Sequence, residues 1–212
     1  VLAGIMAFQL AGMARTEKRP FNRQIFLLSG AFVLGSGVWS MHFIGMLAFS
    51  VCSTARYDRI ITVLSTLPSF LASWVALLLI AKERVTRWQL IVSGILVGAG
   101  IGVMHYSGMA AVHKSLVLRF DPIIFGISIV VAVALSISAL WLRFQLIAHQ
   151  RLKPNHINII SGIVLGIAIS GMHYTGMKAT HFLNNPNGNF DPVSNFDLAL
   201  SIAGITTLAI LI

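Results

Sequence analysis

The sequence holds a single cysteine, Cys52, in 212 residues. An intrachain disulfide and a CxxC metal site are thereby excluded. Acids are scarce as well: six Asp and Glu in all, none in the body of an apolar run. Any metal held within the apolar part must do without carboxylates. Charge of either sign makes up 10% of the chain, against about a quarter in a soluble domain. What fills the space is hydrophobic, 57% of residues, with a mean hydropathy of +0.86. These values describe a membrane protein with the lipid bilayer as its solvent. The formal charge of +9 does not point to nucleic acid, because the basic residues sit in short loops between apolar runs.

Apolar runs bounded by charged, Pro and Asn clusters predict seven transmembrane helices, at about 1–14, 24–50, 60–81, 88–113, 122–147, 156–181 and 196–212. The chain opens inside an apolar run with no cleavable leader, and the first and last runs are short, so both are expected to continue beyond it. Pro68 is expected to kink the third helix. The fold class is therefore all-α, a polytopic membrane protein.

The loops fall into two sets. Arg15, Lys18, Arg19, Arg23, Lys82, Arg84, Arg87, Arg143, Arg151 and Lys153 are ten of the fifteen basic residues. Arg56, Arg59, Lys114, Arg119 and Lys178 lie on the other side, with Asp58, Asp121, Asp191 and Asp197. The positive-inside rule makes the first set cytoplasmic, with the N-terminus outside and the C-terminus inside. Arg143, at the end of its span, is expected to snorkel to the membrane surface.

One pattern recurs on alternate runs: "WSMHFIGMLAFS" from Trp39, "GVMHYSGMAAVH" from Gly102 and "SGMHYTGMKATH" from Ser170. The first methionines, Met41, Met104 and Met172, are 63 and 68 residues apart. The unit is a motif helix plus a plain helix, so the chain reads as three pseudo-repeats of helix pairs plus one helix. His42, His105 and His173 lie about 17–18 residues past the basic ends of their helices, roughly 26 Å at 1.5 Å per residue. All three thus reach one layer near the outer face. Met46, Met109 and Met177, four residues on, share the face of the preceding histidine. Gly35, Gly98 and Gly166, seven residues before each histidine, lie on nearly that face too, where small residues let membrane helices approach. His113 and His181 extend the stripe by about 12 Å and could hold a second ion.

An intramembrane histidine marks function by default. The plainer alternative is three histidines hydrogen-bonded between helices as packing glue. Imidazole plus thioether without carboxylate suits copper, one or two ions, and Cu(I) in particular. Zinc more often recruits Cys or carboxylate, and haem needs only two axial residues. The metal candidates are His42, His105, His173, Met46, Met109, Met177, His113 and His181, with Met41, Met104 and Met172 as further candidates. Tyr106 and Tyr174 read as interfacial anchors. A copper transporter would need ligands at several depths, yet the inner halves of the motif spans lack Met, Cys and acids. A membrane copper or haem enzyme remains a further alternative.

"MHFIGM", "MHYSGM" and "MHYTGM" on alternate helices of a seven-span chain resemble the MHYT domain, a bacterial integral-membrane sensory module. The resemblance covers essentially the whole chain, with Phe-Ile in place of Tyr-Thr in the first copy. It implies a domain of the bacterial cytoplasmic membrane, itself no enzyme. It implies copper bound through Met and His, a diatomic gas ligand such as oxygen, NO or CO, and a cytoplasmic cyclic-di-GMP signalling domain in cis beyond the C-terminus. A homodimer is compatible with this organisation.

The orientation is directly testable. Reporter fusions in the 82–87 loop should be active only as cytoplasmic reporters. A periplasmic signal there would invert the topology and move the motif layer to the inner face.

Overall fold

The computed structural model describes residues 1–49, 55, 57–112, 116–148, 152–184 and 195–211. Local chemistry sets the helix ends. α1 spans Leu2–Thr16, and α2 spans Pro20–Leu47 with its proline in the first turn, where the missing N–H costs nothing. The side chain of Asp58 accepts from the amides of Ile60 and Ile61 and starts the short α3, Arg59–Leu64. α4, Thr66–Ile80, follows after a break at Ser65. Pro68 causes that break one turn upstream: it lacks the N–H that the Leu64 carbonyl needs, and its ring crowds that carbonyl. Trp39 Nε1 donates to the Thr62 carbonyl at 3.0 Å, beside the interruption. A reciprocal Thr86–Gln89 capping box opens α5, Arg87–Met109. The Asp121 side chain accepts from Ile123 and Ile124 and opens α6, Pro122–Ala148. α7 spans Pro154–Lys178 and α8 spans Phe196–Leu211.

The helices form a closed ring. α1 packs on α2, α2 on α4, α4 on α5, α5 on α6, α6 on α7, and α7 back on α1. The motif helices α2, α5 and α7 alternate with the plain helices α4, α6 and α1. The helix outside the three-pair scheme is thus identified: α1 closes the ring between α7 and α2, while α8 packs on α2. Five segments are long and apolar enough to cross a membrane: Pro20–Leu47, Arg59–Ile80, Arg87–Val112, Pro122–Ala148 and Pro154–Lys178. α1 and α8, of 15 and 16 residues, fall short of the ~20 residues a full span needs. The chain is an all-α polytopic membrane protein.

Two features differ from the sequence expectation. The motif helices end sooner than predicted: α5 stops at Met109 before a 3₁₀ turn, Ala110–Val112, and α7 stops at Lys178. The chain then forms two strands, β1 (Leu116–Phe120) and β2 (Thr180–Asn184), paired antiparallel with Leu116 opposite Asn184. They join two connections distant in sequence and cover the motif end of the ring. The second difference is Arg143. It is 6% exposed and turned into the bundle instead of snorkelling out.

Close helix approach rests on specific glycines. A Cβ on Gly98 would stand 2.6 Å from Val133 Cα, and one on Gly35 would stand 2.9 Å from Phe70 Cα, both backbone atoms. Gly166 instead faces the Val1 side chain, at 3.2 Å. Gly98→Leu should therefore force α5 and α6 apart and destabilise the protein by about 1–3 kcal/mol or more. Thermal unfolding in detergent checks this. An unchanged midpoint would show that the contact carries no weight.

Candidate metal centre

α2, α5 and α7 run in the same direction and carry His42, His105 and His173 at matching depth. The three side chains meet on the ring's axis, at 0, 0 and 1% exposure. Their rings stand nearly perpendicular in every pair, with centroids 4.9, 5.2 and 5.2 Å apart. Nδ1 of His42 lies 3.1 Å from Nδ1 of His105 and 3.2 Å from Nδ1 of His173.

The glycine of M-H-x-x-G-M explains how three imidazoles fit there. A Cβ on Gly108 would stand 2.4 Å from His42 Nε2, one on Gly176 2.4 Å from His105 Nε2, and one on Gly45 2.5 Å from His173 Nε2. Each ring therefore backs onto the glycine of the next motif helix: α2 onto α5, α5 onto α7, α7 onto α2. Residues i and i+3 share a helix face, so each motif helix presents one ring inward and one notch for its neighbour's ring. The repeated motif is a cyclic interlock. Sequence reading singled out Gly35, Gly98 and Gly166 and gave no role to Gly45, Gly108 and Gly176. The fixed +3 spacing from each histidine was the available signal.

Neutral imidazoles leave the polar groups of this cluster incompletely paired. A neutral imidazole carries one N–H and one lone pair. If His42 Nδ1 donates to one neighbour, its contact with the other is unsatisfied. If it accepts from both, their two protons converge on a single lone pair. Nε2 of all three rings is buried with no hydrogen-bond partner. Leaving such groups unsatisfied costs about 1–3 kcal/mol each. A cation among the Nδ1 lone pairs removes the inner conflict. Metal–nitrogen bonds of about 2.0–2.1 Å place three nitrogens roughly 3.3–3.6 Å apart, close to the two separations found from Nδ1 of His42. Among the described residues, the trio forms the one His/Cys/Asp/Glu group able to share an ion.

The other candidates are distributed as follows. Met46, Met109 and Met177, one turn further along each helix, are at most 5% exposed and form a single cluster with Ala55, Val112 and Leu116. They make a thioether layer between the histidines and the strand cover. Met104 and Met172 are buried in the main core, with Met41 packed against it. His181 is exposed on β2 in register with Arg119, away from the trio. His113, like Cys52, lies outside the described residues. Tyr106 is half-buried and hydrogen-bonded through its hydroxyl to Ser128, whereas Tyr174 is 64% exposed.

The MHYT family, "Bacterial signalling protein N terminal repeat", matches residues 35–93, 98–155 and 166–211. Each matched stretch begins seven residues before a motif histidine. The bifunctional diguanylate cyclase/cyclic di-GMP phosphodiesterase MucR of Pseudomonas aeruginosa is 40% identical over 192 residues, which cover 90% of this chain and 27% of that protein. The signaling protein YkoW of Bacillus subtilis is 33% identical, covering 84% of this chain and 23% of its own length. The cyclic di-GMP phosphodiesterase NbdA of Pseudomonas aeruginosa is 35% identical, covering 84% and 22%. The chain spans about a quarter of the length of these relatives. No solved structure matches it.

The interlock makes a specific prediction. Gly108→Ala places a methyl group against His42 Nε2 and should lower the unfolding free energy by about 1–3 kcal/mol. Gly126→Ala, whose Cβ meets nothing within 4 Å, should be neutral or gain up to about 1 kcal/mol from helix propensity. Equal effects in a denaturation series would remove the ring-seating role from Gly108.

Proposed function

Because this chain belongs to the MHYT family of bacterial signalling repeats, we propose that it is the membrane input domain of a signalling protein and holds copper in its histidine triad. It is a sensory domain and not itself an enzyme; the enzyme activities named for MucR and NbdA belong to proteins of which it matches about a quarter. The output is then a cytoplasmic domain in cis, of the cyclic-di-GMP class.

The observation that supports the metal reading is the convergence of three buried imidazoles, with Nδ1 of His42 3.1 Å from Nδ1 of His105 and 3.2 Å from Nδ1 of His173. His42, His105 and His173 would hold the ion, and Met46, Met109 and Met177 form the adjacent soft donor layer. Thioethers beside imidazoles, with no acid in the group, favour copper over zinc or magnesium. Copper there would supply a redox-active centre with affinity for small diatomic ligands such as oxygen, NO or CO. The chain's own part is structural. The glycine seats fix each ring's angle, the methionine layer and the strand pair keep bulk water away, and each histidine belongs to a different helix. Any change in ring separation must therefore move α2, α5 and α7 relative to one another. In the orientation that the basic loops favour, the triad faces the outside and α8 leads to the cytoplasmic output. A transport role finds less support, because no second His/Cys/Asp/Glu group able to share an ion lies deeper among the described residues.

Metal analysis on purified full-length protein tests this reading. We expect copper at the triad, released as a unit by His105→Ala and retained by His181→Ala. A loss of one third of the copper in His105→Ala would mean three separate His–Met sites. No bound copper in the wild type would overturn the metal assignment.

A further inference from the structure

We propose a second site, for a small monovalent inorganic anion, in the half of the bundle away from the histidines and built on Arg143. The guanidinium sits among apolar helices at 6% exposure. Nη2 donates to Asn158 Oδ1 at 3.1 Å, and the group lies 4.0 Å over the Phe8 ring. Its Nε and Nη1 have no hydrogen-bond partner, and neither has the Ser161 hydroxyl at 3% exposure. These orphaned donors line one cavity of about 30 Å³.

The charge must be accounted for. No carboxylate lines the cavity, and Arg143 forms no ion pair among the described residues. Asn158 offers a dipole and Phe8 a ring face, which leave a full positive charge within a spanning helix. Arginines at such positions face the protein interior and pair with a partner, and unpaired buried charge is strongly destabilising. Water could satisfy the orphaned N–H groups but not the charge. An anion satisfies both: it accepts from Arg143 Nε and Nη1 and from Ser161 Oγ, and it neutralises the cation. The volume suits an ion of chloride or nitrite size, since a single water occupies ~10–15 Å³ of such space. A phosphate ester or lipid headgroup is too large.

The location gives the site a connection. Val38, Ile101 and Ile169 line the same cavity, and each lies one turn before a triad histidine on its own helix. The cavity therefore begins one turn beneath the triad. Ser161 and His173 are twelve residues apart on α7, about 18 Å. Sequence reading placed Arg143 at the membrane surface because its position near a helix end permits snorkelling; nothing local to the sequence reveals which way it turns.

The test uses the full-length protein in detergent at constant ionic strength, with chloride, nitrite or gluconate as the anion. Wild type should melt several degrees higher in chloride or nitrite than in gluconate, which is too large to enter. Equilibrium binding of radioactive chloride should saturate at one ion per chain. Ser161→Ala should weaken that binding about tenfold. Arg143→Met should abolish it and melt at the same or a higher temperature in gluconate, because the uncompensated charge is gone. Melting that ignores the anion in wild type, together with no saturable chloride binding, would leave only water in the cavity and overturn the proposal. Retained binding in Arg143→Met would also overturn it. If that variant does not fold, an unchanged chloride affinity in Ser161→Ala decides against the site. Copper content measured on the same samples keeps this outcome separate from that of the triad.

Discussion

A ring nitrogen in an apolar interior needs a partner, and here three imidazoles from three helices converge on one another. That constraint organises this bundle. In a bilayer, apolar burial does not drive helices together, because lipid is as apolar as the side chains. Close packing and polar contacts must do it instead. The triad concentrates the polar contacts on the axis, and the glycine seats let the rings reach it. The helix spacing at Gly35 and Gly98 then follows, since α2 and α5 must approach their plain neighbours closely for the ring of six to close around so small a centre.

The depth layering has the same origin. Beyond the histidines lies a thioether layer from Met46, Met109 and Met177, and beyond that the paired strands. On the other side, aliphatic residues one turn back from each histidine separate the triad from the Arg143 cavity. The two polar features differ in kind: converging imidazoles in one, a buried guanidinium in the other. They are held apart by an apolar plug and share α7.

Much of the centre was legible in the sequence because it is written in helical arithmetic. A fixed M-H-x-x-G-M at equal depth on three parallel helices is enough to bring His42, His105 and His173 to one layer, and burial selects the axis over lipid. The i+4 methionines follow from the same geometry. What was not legible depends on relations between helices. The role of Gly108 is defined by His42, 66 residues earlier. The placement of α1 between α7 and α2 joins segments without any shared pattern. The helix ends at Met109 and Lys178 were overrun because the apolar pattern continues through Ala110–Val112, which tightens into a 3₁₀ turn, and into Thr180–Asn184, where long-range pairing replaces helical hydrogen bonds. His181 left the helical stripe for this reason. Arg143 was misplaced because a long side chain near a helix end can satisfy its charge either outward or inward, and only the packed neighbours decide.

The direction of the histidine–glycine contacts carries a consequence for copy number. In a solenoid each unit docks on the next, and units can be added at either end by duplication. Here the third ring docks back on the first glycine, so no end exists. A fourth repeat would widen the ring and pull the imidazoles off their shared centre; deleting one would leave a histidine without its notch. The gene can drift in its loops and plain helices, but the number three is enforced by closure itself.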